Sequence, residues 1–481
     1  MKCKRIDPGA VHSDRICIIL WGDHIMADEL KTGIEHARQW KASTLLSASI
    51  IGCLVIAVPV YAKVIDVPTQ PSSTPPAAQS ANTAANDAEQ QKVMQQKLDR
   101  IQSELNQMTA GLVSQSSSAA GMPLHGFMDV GYRMNSQGSN VLANPNVANP
   151  KGFFQGSLSF YMAPHFGDRV LALAEPNFEV DQADGSLSVD VERLQVGYAF
   201  SDAATLWLGR FHTPFGYWNT AFHHGAQLQT TVLRPRFLDF EDLGGIVPTH
   251  MVGLWGTGKV RTGRSRFTYD VYVGNGPKIS DVNTSVSPVP VLPGDYQSGG
   301  LDPNIAGDDN HSAMAGFNLG FEFSGMLDGL RLAVHWLNGD VNAYDTNALV
   351  ASTTNLNMGG GSVVYESSYW EIMGEYYGFN DKDRTSGLKY KSRAGYMQVG
   401  LNLDAWTPYV RAERTILDQN DAYFSAQANG QSYGRQIIGV RYNLNPKACL
   451  KLELMNSSFK PELGRTALDY RTMNLQYAIS F

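Results

Sequence analysis

The chain has 481 residues, 46 of them glycine, with 17% charged residues, 10% aromatic residues and a formal net charge of −7. Its mean hydropathy of −0.22 excludes a protein built mainly of membrane-crossing helices, since each such helix needs about 20 consecutive apolar residues. The sequence carries no basic stripe, which excludes a nucleic-acid-binding surface. A polar average combined with abundant Tyr, Phe and Gly is typical of a long β-barrel with one wet face.

Residues 43–62 form a long apolar segment near the start of the chain, preceded by basic residues. The segment ends in Val60-Tyr61-Ala62, the small-residue pattern that precedes a signal-peptide cleavage site. Residues 1–62 are therefore predicted to be a signal peptide. Because the segment is also long enough to cross a bilayer, its retention as a membrane anchor is the alternative.

Two further features of this leader leave alternatives open. Met26 is a second candidate start, because residues 1–25 give the signal an unusually long lead. Cys53 lies in a sequence similar to a lipoprotein box, so lipidation there is another alternative. After removal of the leader, Cys449 would be the only cysteine of the chain, and no internal disulfide is expected.

Residues 63–90 are rich in Pro, Ala, Ser, Thr, Gln and Asn and are predicted to be a disordered linker. A helix with coiled-coil spacing is predicted over 91–113, and 114–121 form a second linker. Apolar residues of the predicted helix follow one another alternately four and three residues apart. They are Met94, Leu98, Ile101, Leu105, Met108 and Leu112. A helix this short is marginal alone, so we interpret it as a periplasmic oligomerisation stalk, with a solvated spacer helix as the alternative.

Residues 122–481 are predicted to form an antiparallel transmembrane β-barrel of sixteen strands, because apolar and polar residues alternate between recurrent turns. The strands are expected near 122–134, 152–163, 168–181, 187–200, 204–212, 250–261, 266–275, 313–323, 330–337, 347–357, 362–377, 389–403, 407–416, 434–444, 448–458 and 470–481. Short and long connections alternate throughout, which predicts short periplasmic turns and longer external loops. A barrel of this size encloses an aqueous channel.

The last strand has the clearest pattern of all. Apolar side chains occupy every second position and polar side chains the positions between, which suits a wall with lipid outside and water inside. The apolar residues are Met473, Leu475, Tyr477, Ile479 and Phe481. A strand that ends the chain on an aromatic residue resembles the signal that the barrel-assembly machinery reads in bacterial outer-membrane proteins. An amphipathic strand of a soluble sandwich is the alternative.

The third external connection, residues 213–249, is long and aromatic and carries charges of both signs. We expect it to fold into the barrel and narrow the channel, where fixed charges select solutes by sign. An external cap or a trimer contact is the alternative. The constriction and lumen candidates are Arg234, Arg236, Asp239, Glu241, Asp242, Arg411, Glu413, Arg435 and Arg441.

Alternation along the strands also predicts which other charged residues face the lumen, because charge on the lipid face costs about 2–4 kcal/mol at mid-bilayer. These are Asp270, Glu322, Glu371, Glu375, Lys451 and Glu453. We expect Arg411 to pair with Glu413 and Lys451 to pair with Glu453 across the wall. An arginine ladder that binds phosphate or carboxylate solutes is the alternative, so ion selectivity stays open.

Catalytic motifs are missing from the sequence, so we expect no enzyme, no cofactor and no metal site. His223-His224 with Glu241-Asp242 is the nearest approach to an acid–base or metal cluster. Adjacent histidines on a strand point to opposite faces, however, and are poor common ligands. The sequence contains no His-x-x-x-His, Gly-x-Ser-x-Gly or phosphate-loop motif.

The stretch Leu208–Gly216, LGRFHTPFG, resembles the GR-F-x-TPFG segment of a group of Gram-negative porins. The group includes phosphate-selective porins and dicarboxylate-type porins with an N-terminal coiled coil. This resemblance implies an outer-membrane homotrimer for passive uptake of small hydrophilic solutes, including anions. The sequence departs from the phosphate-selective pattern, because its barrel is net acidic and lacks a lysine-dense constriction. A structural or adhesive outer-membrane barrel without an open pore is the alternative.

Overall fold

The computed structural model describes most of the predicted barrel. The predicted signal peptide, linkers and coiled coil lie outside the described residues. The described residues are 124–136, 151–180, 187–222, 225–241, 244–282, 299–303, 308–427, 429–462 and 467–481.

In the part of the chain that the structure describes, nineteen strands form one sheet. They are β1 Leu124–Asn135, β2 Lys151–Met162, β3 His165–Phe166, β4 Val170–Val180, β5 Leu187–Ser201, β6 Ala204–His212, β7 His250–Thr262, β8 Ser265–Asn275, β9 Lys278–Val282, β10 Gly300–Asp302, β11 Met314–Glu322, β12 Leu330–Asp345, β13 Val350–Glu366, β14 Trp370–Asp383, β15 Lys389–Leu401, β16 Trp406–Ile416, β17 Tyr433–Asn445, β18 Ala448–Phe459 and β19 Leu468–Ser480. β3, β9 and β10 are short, and the other sixteen form the wall.

The wall closes because β1 pairs antiparallel with both β2 and β19. At the seam, Gly126 and Phe481 exchange backbone hydrogen bonds of 3.1 and 3.0 Å. The predicted sixteen-stranded antiparallel barrel is therefore confirmed. We call the end of the barrel that holds Leu124 and Phe481 the terminal end, and the other end the loop end.

Side chains alternate in and out along the strands, as their pleat requires. On β18, Leu450, Leu452 and Leu454 are exposed outward, whereas Lys451 and Glu453 are buried inside the barrel. This is the reverse of a soluble domain, in which charges face outward and leucines face the core. Exposed aromatic residues gather near the terminal end, at Phe166, Phe200, Tyr369, Trp406 and Phe481.

Helical structure is sparse in the described residues. Two short α-helices occupy Trp218–Ala221 and Ala422–Ser425, and two 3₁₀ turns occupy Arg236–Leu238 and Gly325–Leu327. Among the described residues, no helix is both long enough and apolar enough to cross a membrane.

The predicted strands near 347–357 and 362–377 are wrong in their bounds. The predicted break between them falls inside β13, and the real turn at 367–369 falls inside the second predicted strand. Three consecutive glycines occupy that predicted break, but they are paired strand residues. At Gly360 a Cβ atom would lie 1.9 Å from the carbonyl oxygen of Tyr376, so only glycine fits against the neighbouring strand.

The predicted alternation of short and long connections is also wrong in this part of the wall. β12 extends to Asp345, beyond the predicted end near 337, and β14 extends to Asp383. The connections at the loop end therefore shrink to 346–349 and 384–388. Residues expected in long external loops instead continue the ladder, which satisfies their backbone groups.

Candidate functional site

The segment 213–249, which joins β6 to β7, packs inside the barrel. Phe215, Trp218 and Phe237 have no exposed surface. The rings of Phe215 and Phe237 lie 6.0 and 5.3 Å from the ring of Tyr377, which points inward from β14. We call this segment the inner loop.

The inner loop reaches the far end of the lumen. It leaves the wall at the loop end, where His212 pairs with His250. Near its middle, Gln227 donates a 2.9 Å hydrogen bond to the carbonyl oxygen of Pro446. Pro446 lies in the turn between β17 and β18, at the terminal end. The inner loop therefore runs the height of the lumen and back, which is deeper than a constriction at one level.

Glu375 on β14 fixes the start of the short helix in the inner loop. One of its carboxylate oxygens accepts from the backbone N–H of Tyr217 and from Tyr377 Oη, and the other accepts from the N–H of Trp218 and from Tyr396 Oη. These four distances are 2.7–2.8 Å. A buried carboxylate with four donors is fully satisfied and holds the helix start rigidly.

Arg411 on β16 fixes the centre of the inner loop. Its side chain is fully buried. It donates to Thr231 Oγ1 at 3.0 Å and to the carbonyl oxygens of Leu233 and Arg234 at 2.8 and 3.0 Å. It also pairs with Glu413 at 3.0 Å. The expected pairing is thus present, and the guanidinium also binds one side chain and two backbone carbonyl groups of the inner loop.

Glu413 extends this attachment toward the next strand. It accepts from the backbone N–H of Arg236 at 2.9 Å and from Tyr433 Oη at 3.1 Å. Both of these bonds are accepted by Oε2 of Glu413. The guanidinium of Arg435 lies 4.0 Å from Oε1 of Glu413 and donates to Ser457 Oγ at 3.1 Å. Both side chains are buried, so their charges compensate each other at the loop surface.

The pairing expected between Lys451 and Glu453 is wrong. Lys451 Nζ donates to the carbonyl oxygens of Ala226 and Thr231, the second at 2.9 Å. Glu453 accepts from the backbone N–H of Val232 at 2.9 Å. The carbonyl oxygens and the N–H group of the inner loop take the place of the ion pair here, so each charge has its own partner.

Arg441 and Glu371 attach the deepest part of the inner loop. Arg441 donates to the carbonyl oxygen of Gln229 at 2.8 Å. Glu371 accepts from Thr230 Oγ1 at 2.6 Å. The four wall residues among the constriction and lumen candidates, Arg411, Glu413, Arg435 and Arg441, are therefore buried against the loop or its attachments.

The two arginines of the inner loop make hydrogen bonds and ring contacts with other residues inside the barrel. Arg234 donates to Asn219 Oδ1 at 3.3 Å and stacks over the ring of Phe240 at 4.0 Å. Arg236 bonds Asn429 and stacks over Phe459 at 5.0 Å. Burial lowers the pKa of Arg234 to about 10. The guanidinium stays charged at neutral pH, yet little of its surface remains for a passing solute.

The acidic candidates of the inner loop differ in exposure. Glu241 is buried and accepts from the backbone N–H of His250 at 2.9 Å. Asp239 is partly exposed. Asp242 lies outside the described residues, as do His223 and His224. Of the two acidic residues of the inner loop that the structure describes, Asp239 is the more exposed.

Protonation of Asp239 is expected to make the ion selectivity depend on pH. Burial raises the pKa of its carboxyl to about 6, against the opposing influence of Arg234, Arg435 and Arg236. As the pH falls from about 7 to about 5, the carboxylate takes up a proton and the loop loses one negative charge. We expect the reversal potential in a salt gradient to shift toward anions over this interval. Asp239→Asn should show the low-pH value throughout, and an equal shift in that variant would contradict the assignment.

A cavity of about 290 Å³ remains between the inner loop and the wall. Charged residues of both signs line it, and they include Arg193, Lys259, Asp270, Glu322, Arg331 and Glu371. Several are paired, as in Arg331–Glu366 at 3.1 Å and Arg266–Glu322 at 2.7 Å. Aromatic and aliphatic side chains also line the cavity, and its charged residues have no dominant sign.

The structure also brings together Glu192, His212 and His250, which no sequence motif connects. They come from β5, β6 and β7. The sequence contains one signal for this cluster, which is Pro176 on β4. A proline cannot donate a hydrogen bond to a strand ladder and often marks a bulge, here opposite Glu192. The register between β4 and β5 shifts at this proline.

No protein-family profile matches this chain, and no curated protein matches its sequence. Several solved structures are similar to this chain. OmpT, an outer membrane protein of Vibrio cholerae in trimer form, matches at 10% identity and a TM-score of 0.47, over 75% of this chain and 99% of its own. The anion-selective porin from Comamonas acidovorans matches at 11% identity and a TM-score of 0.47, over 75% and 99%. The outer membrane channel DcaP of Acinetobacter baumannii matches at 12% identity and a TM-score of 0.46, over 76% and 99%.

Proposed function

We propose that this protein is an outer-membrane porin of a Gram-negative bacterium, with an aqueous channel for passive diffusion of small hydrophilic solutes and ions. The observation that carries the proposal is a closed barrel with exposed leucines outside and charged residues inside, divided by an inner loop. An outward apolar face favours lipid, and a charged interior favours water. The proposed role of the inner loop is to restrict the size of the solutes that pass.

The membrane setting rests on the outer surface. Apolar side chains of neighbouring strands form a continuous outer face, and exposed aromatic residues such as Trp406 and Phe481 gather near the terminal end. Aromatic residues favour the level of the lipid headgroups. Leu124 and Phe481 both lie at the terminal end, and in this proposal that end faces the periplasm. The predicted coiled coil over 91–113 would then lie in the periplasm.

The solute class follows from the lining. Acidic and basic residues both line the remaining cavity, and several are paired, so we propose weak charge selectivity with small anions among the solutes. A homotrimer, and recognition of the closing strand and Phe481 by the barrel-assembly machinery, belong to the same proposal. No catalytic step is part of it.

A second candidate function is a structural or adhesive barrel without an open pore. One observation favours it. The inner loop, the helix Ala422–Ser425 and inward residues of the wall form a large apolar cluster inside the barrel, with Phe215, Trp218 and Phe424 fully buried. Such a cluster removes much of the lumen from water, as a protein core does.

Solute uptake into liposomes separates the two functions. Proteoliposomes would be swollen in isosmotic sugars of increasing size, with empty liposomes and heat-denatured protein as controls. A porin narrowed by the inner loop predicts fast swelling with a pentose or hexose and a sharp fall with a tri- or tetrasaccharide. Folded protein that gives no swelling with any sugar would support the closed barrel instead.

A further inference from the structure

A cluster of two histidines and one glutamate lies at the root of the inner loop. Glu192, His212 and His250 each present one donor atom, and these atoms lie within 4.8 Å of one another. His250 Nε2 is 2.7 Å from a Glu192 oxygen, and the His212 and His250 rings are 4.7 Å apart at 81°. All three side chains are buried. The channel function assigns them no role.

The backbone is built to bring Glu192 inward. Glu175 pairs with Arg193 and Pro176 pairs with Val191, so Glu192 is the extra residue of a bulge in β5. This bulge turns Glu192 to the interior beside Arg193, and both are buried. Bulges of this kind re-aim side chains and occur often next to functional sites. Strict alternation would point one of these two adjacent residues outward, and the bulge lets both point inward.

A further carboxylate orients His250. Glu241 lies 2.7 Å from His250 Nδ1 and accepts from the His250 backbone N–H at 2.9 Å. Thr249 Oγ1 also donates to Glu241. Glu241 holds the proton on Nδ1, and Nε2 faces Glu192 as a donor, so a metal ion bound between Nε2 and Glu192 would replace the Nε2 proton. Metal-binding histidines commonly have this carboxylate support on the far ring nitrogen.

An aromatic cover closes the cluster from one side. The ring of Phe240 stacks on His250, with centroids 5.5 Å apart at 28°, and lies 5.7 Å from His212. An apolar cover limits access of water and strengthens charge interactions below it. The residues that cover and orient the cluster, Phe240 and Glu241, both belong to the inner loop.

We propose that Glu192, His212 and His250 bind one divalent first-row transition metal ion, with Zn²⁺ as the probe. Two imidazole nitrogens and one carboxylate oxygen form a common ligand set for zinc, and a fourth position remains for water or a solute. Bonds of about 2.0–2.2 Å require small movements of the three side chains. The metal would tie β5 to the last residue of β6 and the first of β7, so it would clamp both ends of the inner loop.

This site does not depend on whether the channel is open. It can be tested on the full chain, purified from membranes in detergent and stripped with EDTA. Zn²⁺ would be titrated against a chromophoric chelator, and bound metal counted after desalting. Co²⁺ in place of Zn²⁺ gives visible absorption whose intensity separates a four-coordinate site from six-coordinate surface binding.

We expect one tightly held Zn²⁺ per chain and strong Co²⁺ bands. His212→Asn and Glu192→Gln should each remove this binding, and Glu241→Gln should weaken it by about 10–100-fold. His335→Asn is the matched control, because His335 is another buried histidine inside the barrel, without a neighbouring acid or histidine among the described groups. Heat-modifiable migration on gels would report whether each variant is folded.

Three results would overturn the proposal. The first is wild-type protein that binds no Zn²⁺ above the chelator background. The second is full binding in folded His212→Asn and Glu192→Gln, which would place the ion on surface histidines. The third is a wild-type Co²⁺ spectrum with weak six-coordinate bands only, a result that does not depend on the folding of any variant.

Discussion

Arg411→Ala is expected to open the channel, with higher single-channel conductance and larger current fluctuations than the wild type. The guanidinium is fully buried and makes four bonds, three of them to the inner loop. Its removal also leaves Glu413 without its closest cation. Breaking a buried ion pair by deleting one partner costs about 3–5 kcal/mol. That cost falls on the attachment of the loop, because the strand ladder of β16 uses backbone groups.

The matched control is Arg414→Ala. Arg414 lies three residues further along β16 on the exposed face, so its removal takes away the same charge without touching the inner loop. Conductance of this variant should equal that of the wild type. An Arg411→Ala channel with wild-type conductance and noise would show that other contacts suffice to hold the loop, and would contradict the role of Arg411 as its central anchor.

Glu375→Gln is expected to release the start of the short helix in the inner loop. The substitution keeps the shape of the side chain but replaces one acceptor oxygen with an amide group. Each oxygen of Glu375 accepts one backbone N–H and one tyrosine hydroxyl. In the variant, one such pair of donors would face the NH₂ group of the glutamine, which is itself a donor. Hydrogen bonds to a charged group contribute about 1.5–3 kcal/mol each, and the loss of two is a large local effect.

Amide hydrogen exchange measures this release directly. Protection of Tyr217 to Ala221 should fall by at least about 100-fold, since a factor of ten corresponds to roughly 1.4 kcal/mol. Glu371→Gln is the control on the same strand and face. Glu371 accepts from Thr230 and Gln398 but from no backbone N–H of the short helix, so protection at 217–221 should persist. Equal protection in Glu375→Gln and the wild type would contradict the anchoring role.

Much of the wall could be predicted from the sequence because its signal is local. Alternation along 470–481 predicted which side chains face outward, and Leu475 and Tyr477 are exposed in the structure. Alternation gave the wrong bounds where strand and break look alike, as at Gly360. From the sequence alone, a glycine at this position indicates a turn. The structure shows that glycine is needed because the backbone of the neighbouring strand approaches too closely for a side chain.

The inner loop could be located but its attachments could not. Tyr217 and Glu375 are 158 residues apart, and their contact joins a side chain to a backbone group that nearly every residue possesses. Arg234 and Arg236 look like pore charges in the sequence, yet packing buries both. The cluster of Glu192, His212 and His250 depends on a bulge, which changes the face of a single residue and breaks the alternation used to predict it.

Single-channel recording in a planar bilayer tests the central claim most directly, which is that the barrel holds a water-filled path beside the inner loop. Insertion would be verified in parallel by flotation of proteoliposomes. Stable stepwise openings are predicted, with weak ion selectivity from the reversal potential in a salt gradient. Protein that floats with the vesicles and migrates as a folded barrel, yet conducts no current, would contradict the claim and favour the closed barrel.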